Sequence, residues 1–343
     1  MKNERNNMKP YLIGYVYNDY LPYFTKEDAA KLTHINLAFG LIKDGLLSLH
    51  KMTNLAELER IRSYKPQIKI VLSVGGWGAG GFSTMAMTKE KRHAFALSCL
   101  EDVEKYKLDG IDIDWEYPCD NSADIDCDPK DKENYTYLFE ELREVLGNDR
   151  IVSNAVGAGK YFIEGTEMDK VSKILDYVQL MTYDMRSGFT SEAGHHAALG
   201  LSEGDTSDKA TKCIVEMFHE AGVPYEKLIV GAAFYCRRFD GVANVNNGLL
   251  QPSESIGQYG PEFYELTEEF LNKENFKEYW DEKAEASYLF NGKSFVSFES
   301  PKAIRHKVKY VKEKGLLGIM YWEHSCDRDR ILLDAMYDEM RNK

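Results

Sequence analysis

Four acidic side chains fall within eight residues in Asp109-Gly-Ile-Asp-Ile-Asp-Trp-Glu116, and Tyr117-Pro118 follow. The residues between them are those of a buried strand. Side chains alternate across a strand, so Asp112, Asp114 and Glu116 project to one face while Ile111, Ile113 and Trp115 project to the other. Three carboxyls on one face repel one another, and at least one must hold a proton near neutral pH. General acid catalysis needs such a proton, whereas a purely structural strand gains nothing from the arrangement. Glu116, last in the run, is placed to give the proton up; Asp114 stands behind it, and Asp112, one pleat deeper, is expected to share a proton with Asp114. Asp109 begins the strand at its opposite end, where a structural role is expected. A second stretch, Gln179-Leu-Met-Thr-Tyr-Asp184, puts Gln179, Met181 and Tyr183 on one strand face, with Asp184 just beyond.

These residues need a scaffold that gathers strand ends. Strand-like segments fall at 11–16, 34–39, 69–74, 110–114, 151–156, 177–182, 228–234 and 318–321, with helix-like stretches at 54–64, 89–106, 131–146, 207–221, 301–314 and 327–341. That alternation implies a parallel sheet covered by helices. Eight such units predict an α/β fold, a (β/α)8 TIM barrel, in which catalytic groups collect at the C-terminal strand ends. The interval between strands 7 and 8 is too long for one helix. It reads as a small α+β insertion over 239–298, leaving 8–238 and 299–343 for the barrel.

The pattern D-x-x-D-x-D-x-E, met by Asp109, Asp112, Asp114 and Glu116, resembles the active-site signature of the family 18 glycoside hydrolases. The Trp-Glu-Tyr-Pro continuation at 115–118 resembles its chitinase branch. Ser73-Val-Gly-Gly76, Gln179–Asp184, Lys227–Gly231 with Phe234–Arg237, and Gly318–Glu323 resemble further family elements, in the family's order. The resemblance implies a retaining, substrate-assisted hydrolysis in which the sugar's own 2-acetamido oxygen attacks C1, an exception to the usual two-carboxylate scheme. It implies Glu116 as acid and then base, Asp114 as acceptor for the acetamido N–H, and Tyr183 as donor to the attacking oxygen. Met181 would line the acetamido pocket, Trp322 would floor the subsite of the distorted sugar, and Trp77 would stand on the leaving-group side. Tyr15, Tyr117, Tyr235 and Arg237 would trim the pocket and grip hydroxyls, and Asp184 would hydrogen-bond the sugar or the surroundings of the acid. Cys236 and Phe239 depart from the family, which favours Gly and Trp near those positions.

The remaining chemistry is bland. A formal charge of −13 argues against nucleic-acid or anionic-membrane partners and is indifferent to a neutral sugar polymer. No run of 18 apolar residues is present, so no membrane-spanning helix is expected. The polar start, Met1–Met8, lacks the apolar centre of a secretory signal; the compartment stays open between secretion after loss of a leader and the cytoplasm. The six cysteines match no zinc spacing. Cys119 and Cys127 share a loop, with a bridge left open, and the others are expected to be buried thiols. His195-His196 lacks carboxylates at metal-site spacing, so neither metal nor cofactor is expected. Trp115 is expected in the core, and Trp280 in either core or groove. The substrate implied is chitin or a chito-oligosaccharide, handled by a monomer. Peptidoglycan or N-glycan linkages are the alternative, and a non-catalytic chitin lectin on the same barrel is a reading from another class.

Overall fold

The computed structural model describes residues 10–342 apart from 272 and 274, so the segment Met1–Met8 lies outside the described residues. Eight parallel strands form the barrel: β1 (Tyr11–Tyr17), β2 (His34–Lys43), β3 (Lys69–Gly75), β4 (Gly110–Asp114), β5 (Ile151–Gly157), β6 (Tyr177–Met181), β7 (Leu228–Ala233) and β8 (Gly318–Trp322), with a short antiparallel strand, Leu46–Ser48, added beside β2. Neighbouring strands are parallel, and β1 pairs with both β8 and β2, which closes the ring. The fold is the (β/α)8 barrel. Strands buried on both faces explain the continuous Val, Ile and Leu runs, such as Leu228-Ile-Val230.

Glycine is required where β3 and β4 come closest. A Cβ on Gly75, at φ 125°, would lie 2.0 Å from the carbonyl oxygen of Asp114, its register partner. Of the paired glycines, Gly75 thus serves backbone contact at the rim of the barrel, while Gly76 leaves room for the Phe39 ring.

Helix boundaries follow their caps. Ser300 accepts a hydrogen bond from the amide of Ala303, with Pro301 opening the helix, and Gly315 ends it in the left-handed region at φ 74°. The last helix begins at Ile331, not at 327. The Asp327 carboxylate accepts the amides of Ile331, Leu332 and Leu333, so it caps the helix from outside. Among the described residues no helix is long and apolar enough to cross a membrane.

After β7 the chain enters a five-stranded antiparallel sheet in the order 258–262, 235–239, 295–298, 286–290, 277–281. Its own apolar cluster contains Phe239, Tyr288, Phe290 and Phe295. Trp280 is half-buried here, with the Lys302 ammonium 3.7 Å from its ring centroid and His306 beside it. It packs on the helix Pro301–Lys314 and is absent from the cleft lining.

Candidate active site

Asp112 lies at the centre of the barrel and is fully buried. Register explains its company: Ser73 on β3 and Ser153 on β5 are its direct partners across the sheet, so all three point inward together. One carboxylate oxygen accepts from Ser73 Oγ at 2.7 Å and Tyr15 Oη at 2.9 Å. The other accepts from Ser153 Oγ at 2.8 Å and Gln179 Nε2 at 2.9 Å. Gln179 in turn accepts from Asn36 at 2.9 Å. Burial pushes the Asp112 carboxyl up, and these four donors work against it. The sequence reading has Asp112 sharing a proton with Asp114. Both Asp112 oxygens are hydrogen-bonded, and its carboxyl still lies above the usual range, the direction that sharing a proton needs.

Asp114, two residues on, has the opposite surroundings. Its Oδ1 is buried with no hydrogen-bond partner. Burial, then the charges of Glu116 and Asp112, push its carboxyl well above the usual range. Glu116 is pushed up to about 7, by burial first and then by the Asp184 charge, against a hydrogen bond from Tyr117. The three acids of one strand face thus divide into an interior carboxyl held by four donors and two rim carboxyls pushed up by burial and by neighbouring charges.

The β6 element supplies the facing wall. Met181 and Tyr183 line the cleft, and burial raises the Tyr183 hydroxyl so that it stays protonated. Asp184 lies just past the strand at φ 56°, in the left-handed region. Arg237 grips it with two bonds, Nε to Oδ1 at 2.7 Å and Nη2 to Oδ2 at 2.6 Å, while His196 Nδ1 stands 3.5 Å from Oδ1. Burial alone would raise this carboxyl, but His196 and Arg237 outweigh it and hold it far below the usual range. Its charge is therefore permanent near Glu116. His195 faces a different partner, Asp281, at 3.3 Å.

A cleft of about 1430 Å³ opens over the C-terminal ends of the strands. Glu116, Asp114, Tyr15, Trp77, Tyr117, Met181, Tyr183, Asp184, Tyr235, Arg237 and Trp322 all line it; Asp112 does not. Trp322 is half-buried, stacked on Phe39 at 5.4 Å and 22°. Trp115 is fully buried and stacks on Phe82 at 5.2 Å and 11°, on the other side of β4. Asp109 sits at the far end of β4, where Lys69 Nζ (2.9 Å) and the Ile70 amide (2.8 Å) satisfy it. Cys119 and Cys127 are exposed free thiols, Cys213 is half-buried, and Cys99, Cys236 and Cys326 are buried.

Five cleft aromatics escaped the sequence reading: Tyr17, Phe39, Tyr161, Phe189 and Tyr259. Phe189 follows Gly188 in a turn and reaches Trp77, ring centroids 6.0 Å apart. Tyr259 stacks on Tyr235 at 4.7 Å and 20°. Phe189 alone lies in a loop; Tyr17, Tyr161 and Tyr259 sit on short elements or at element ends, where no periodic signal marks which aromatics reach the cleft.

Comparison with known proteins agrees with this geometry. The family model described as glycosyl hydrolases family 18 matches residues 11–327. Chitinase A1 of Niallia circulans is 34% identical over 82% of this chain and 44% of its own length. The endochitinase of Manduca sexta is 30% identical over 87% of this chain and 59% of its own length, so the chain spans about half the length of these relatives. A solved structure, a family 18 N-acetylglucosaminidase from Paenibacillus barengoltzii, superposes with a TM-score of 0.94. It is 46% identical, covering 96% of this chain and 99% of that one.

Proposed function

The chain belongs to the family 18 glycosyl hydrolases, and we propose that it is a chitinase-type hydrolase cleaving β-1,4-linked N-acetylglucosamine chains by retaining, substrate-assisted catalysis. One observation carries the reading. Glu116, protonated up to about pH 7, opens into an aromatic-lined cleft beside an Asp114 oxygen that has no protein partner.

Glu116 gives its proton to the glycosidic oxygen as the C1–O bond breaks. The acetamido oxygen of the same sugar attacks C1 and forms a cyclic oxazolinium, so no protein carboxylate is needed as the nucleophile. Asp114 Oδ1 accepts the acetamido N–H and stabilises the positive charge that develops there. The Tyr183 hydroxyl, beside the apolar wall of Met181 and Met320, orients the attacking oxygen. Glu116, now ionised, then takes a proton from the water that opens the ring. Asp112 acts through Asp114: burial raises both carboxyls, and the pair holds a shared proton until the charge develops.

Glu116→Gln tests the assignment. Chito-oligosaccharide binding should persist while kcat falls about 10³-fold or more. Near-normal turnover would remove the acid. An oligomer lacking the N-acetyl group at the cleaved sugar should resist hydrolysis there, and efficient cleavage would exclude substrate assistance.

The P. barengoltzii likeness favours a second reading with the same chemistry, release of N-acetylglucosamine from chains or from peptidoglycan or N-glycan linkages. A lectin has no need of a protonated Glu116 over an open cleft.

A further inference from the structure

The four partners of Asp112 are not alike. Ser73, Ser153 and Tyr15 reach it through hydroxyls, which turn and can give a hydrogen bond or take one. Gln179 reaches it through an amide nitrogen, which only gives. That nitrogen donates twice, to Asp112 Oδ1 at 2.9 Å and to Tyr15 Oη at 3.1 Å. Turned over, the same amide would present its carbonyl oxygen, which repels an ionised Asp112 and accepts from a protonated one. The facing of one amide therefore bears on where the proton of the Asp112–Asp114 pair resides.

Asn36 sets that facing. It is the register partner of Tyr15 on β2, and it is fully buried, as is Gln179 on β6. Its Nδ2 donates to Gln179 Oε1 at 2.9 Å, between residues 143 apart in the chain. A reversed Gln179 would set two amide nitrogens against each other. Reversing Asn36 as well would relieve that contact only by moving its NH2 group to the place of Oδ1. That oxygen is buried with no hydrogen-bond partner among the described residues. A buried carbonyl left bare costs less than a buried N–H group left bare, so the observed facing is the favoured one.

The other groups around Asp112 stay neutral. The phenols of Tyr15 from β1, Tyr177 and Tyr183 from β6, and Tyr135 from the helix Asp131–Leu146 are all raised by burial. His34, two residues before Asn36, is pushed down to about 4 by burial. Strands β3 and β5 present Ser73 and Ser153. That leaves Asp114 on β4, with Glu116 beyond it, to exchange charge with Asp112.

We propose that Asn36 is a positioning residue for the reaction: it holds the Gln179 amide as a donor and so draws the proton shared by Asp112 and Asp114 toward Asp114. Asn36 does not border the cleft, so it acts only through Gln179. The proposal rests on the hydrolase reading above, which gives that proton its use.

The test uses the intact protein and an N-acetylglucosamine tetramer. Asn36→Leu removes the hold, and Asn36→Ser replaces it with a hydroxyl that can face either way. Each should lower kcat about tenfold and leave KM within about twofold. Each should also move the acid limb of the kcat/KM profile up by about one pH unit, the effect of one hydrogen bond to a charged group. The sign follows because a donor lost from ionised Asp112 lets the pair keep a second proton to higher pH. The alkaline limb, which belongs to Glu116, should stay in place. Gln179→Leu should give the same shift, and adding Asn36→Leu to it should move the limb no further. An acid limb unmoved in both Asn36 variants, or a double variant whose shift is the sum of the single ones, would overturn the proposal. Wild-type protein that cleaves no N-acetylglucosamine oligomer would sink the hydrolase reading itself, and this proposal with it.

Discussion

Asp109 and Glu116 stand at opposite ends of the same strand and live under opposite rules. At the floor of the barrel, Asp109 meets Lys69 Nζ at 2.9 Å, the Ile70 amide at 2.8 Å and Arg62 at 3.5 Å. At the rim, among the described residues, no cation stands within ion-pair distance of Glu116 or Asp114, and one Asp114 oxygen has no partner. Satisfied acids hold the scaffold; unsatisfied acids are kept ready for a substrate. Stability is given up at the rim for reactivity.

The sharpest way to break this contrast is Glu116→Gln, which should be nearly inactive and more stable. The folded carboxyl titrates at about 7 against an ordinary 4.5, so ionised Glu116 costs the native state roughly 3 kcal/mol by linkage. The sign follows from the raised value. Folded protein holds a proton that unfolded chain has lost between pH 4.5 and 7, so wild-type stability rises as pH falls through that window. Urea unfolding should show the glutamine variant ahead at pH 8 and the gap closing by pH 5; a variant less stable than wild type at pH 8 would contradict the account. The same titration predicts that kcat/KM declines as pH rises through about 7.

Tyr183→Phe should lower kcat about 10²-fold with little change in affinity, since the lost hydroxyl matters only as the acetamido oxygen gains charge. A matching rise in KM would reassign it to ground-state binding. The smallest effect belongs to the floor. Asp109→Ala should lose about 1 kcal/mol of stability and keep activity within about twofold, measured by urea unfolding and oligomer hydrolysis. Large activity loss there would erase the distinction between the two ends.

What the sequence discloses and what it hides also divide along this strand. The alternation of Asp112, Asp114 and Glu116 is local, and β4 runs over the residues 110–114 expected of it. Which acid is neutral was not local. The donors to Asp112 come from β1, β3, β5 and β6, as many as 97 residues away, and no spacing rule announces them. The Asp184–Arg237 clamp joins residues 53 apart, so the sequence places Asp184 by the sugar or the acid without disclosing the cation that holds it. Trp280, open between core and groove in the sequence, is decided by Lys302 and His306 from the following helix.

Arg237 belongs to the small sheet, paired with Ser297 and Tyr259, yet its guanidinium holds a carboxylate of the barrel. The Ser297 hydroxyl likewise accepts the amide of His196, the other neighbour of Asp184. Swapping in a foreign lobe to retune substrate choice would therefore also reset the charge beside the acid. Anyone recombining such lobes between homologues should carry the Asp184, His196 and Arg237 trio as one inherited block.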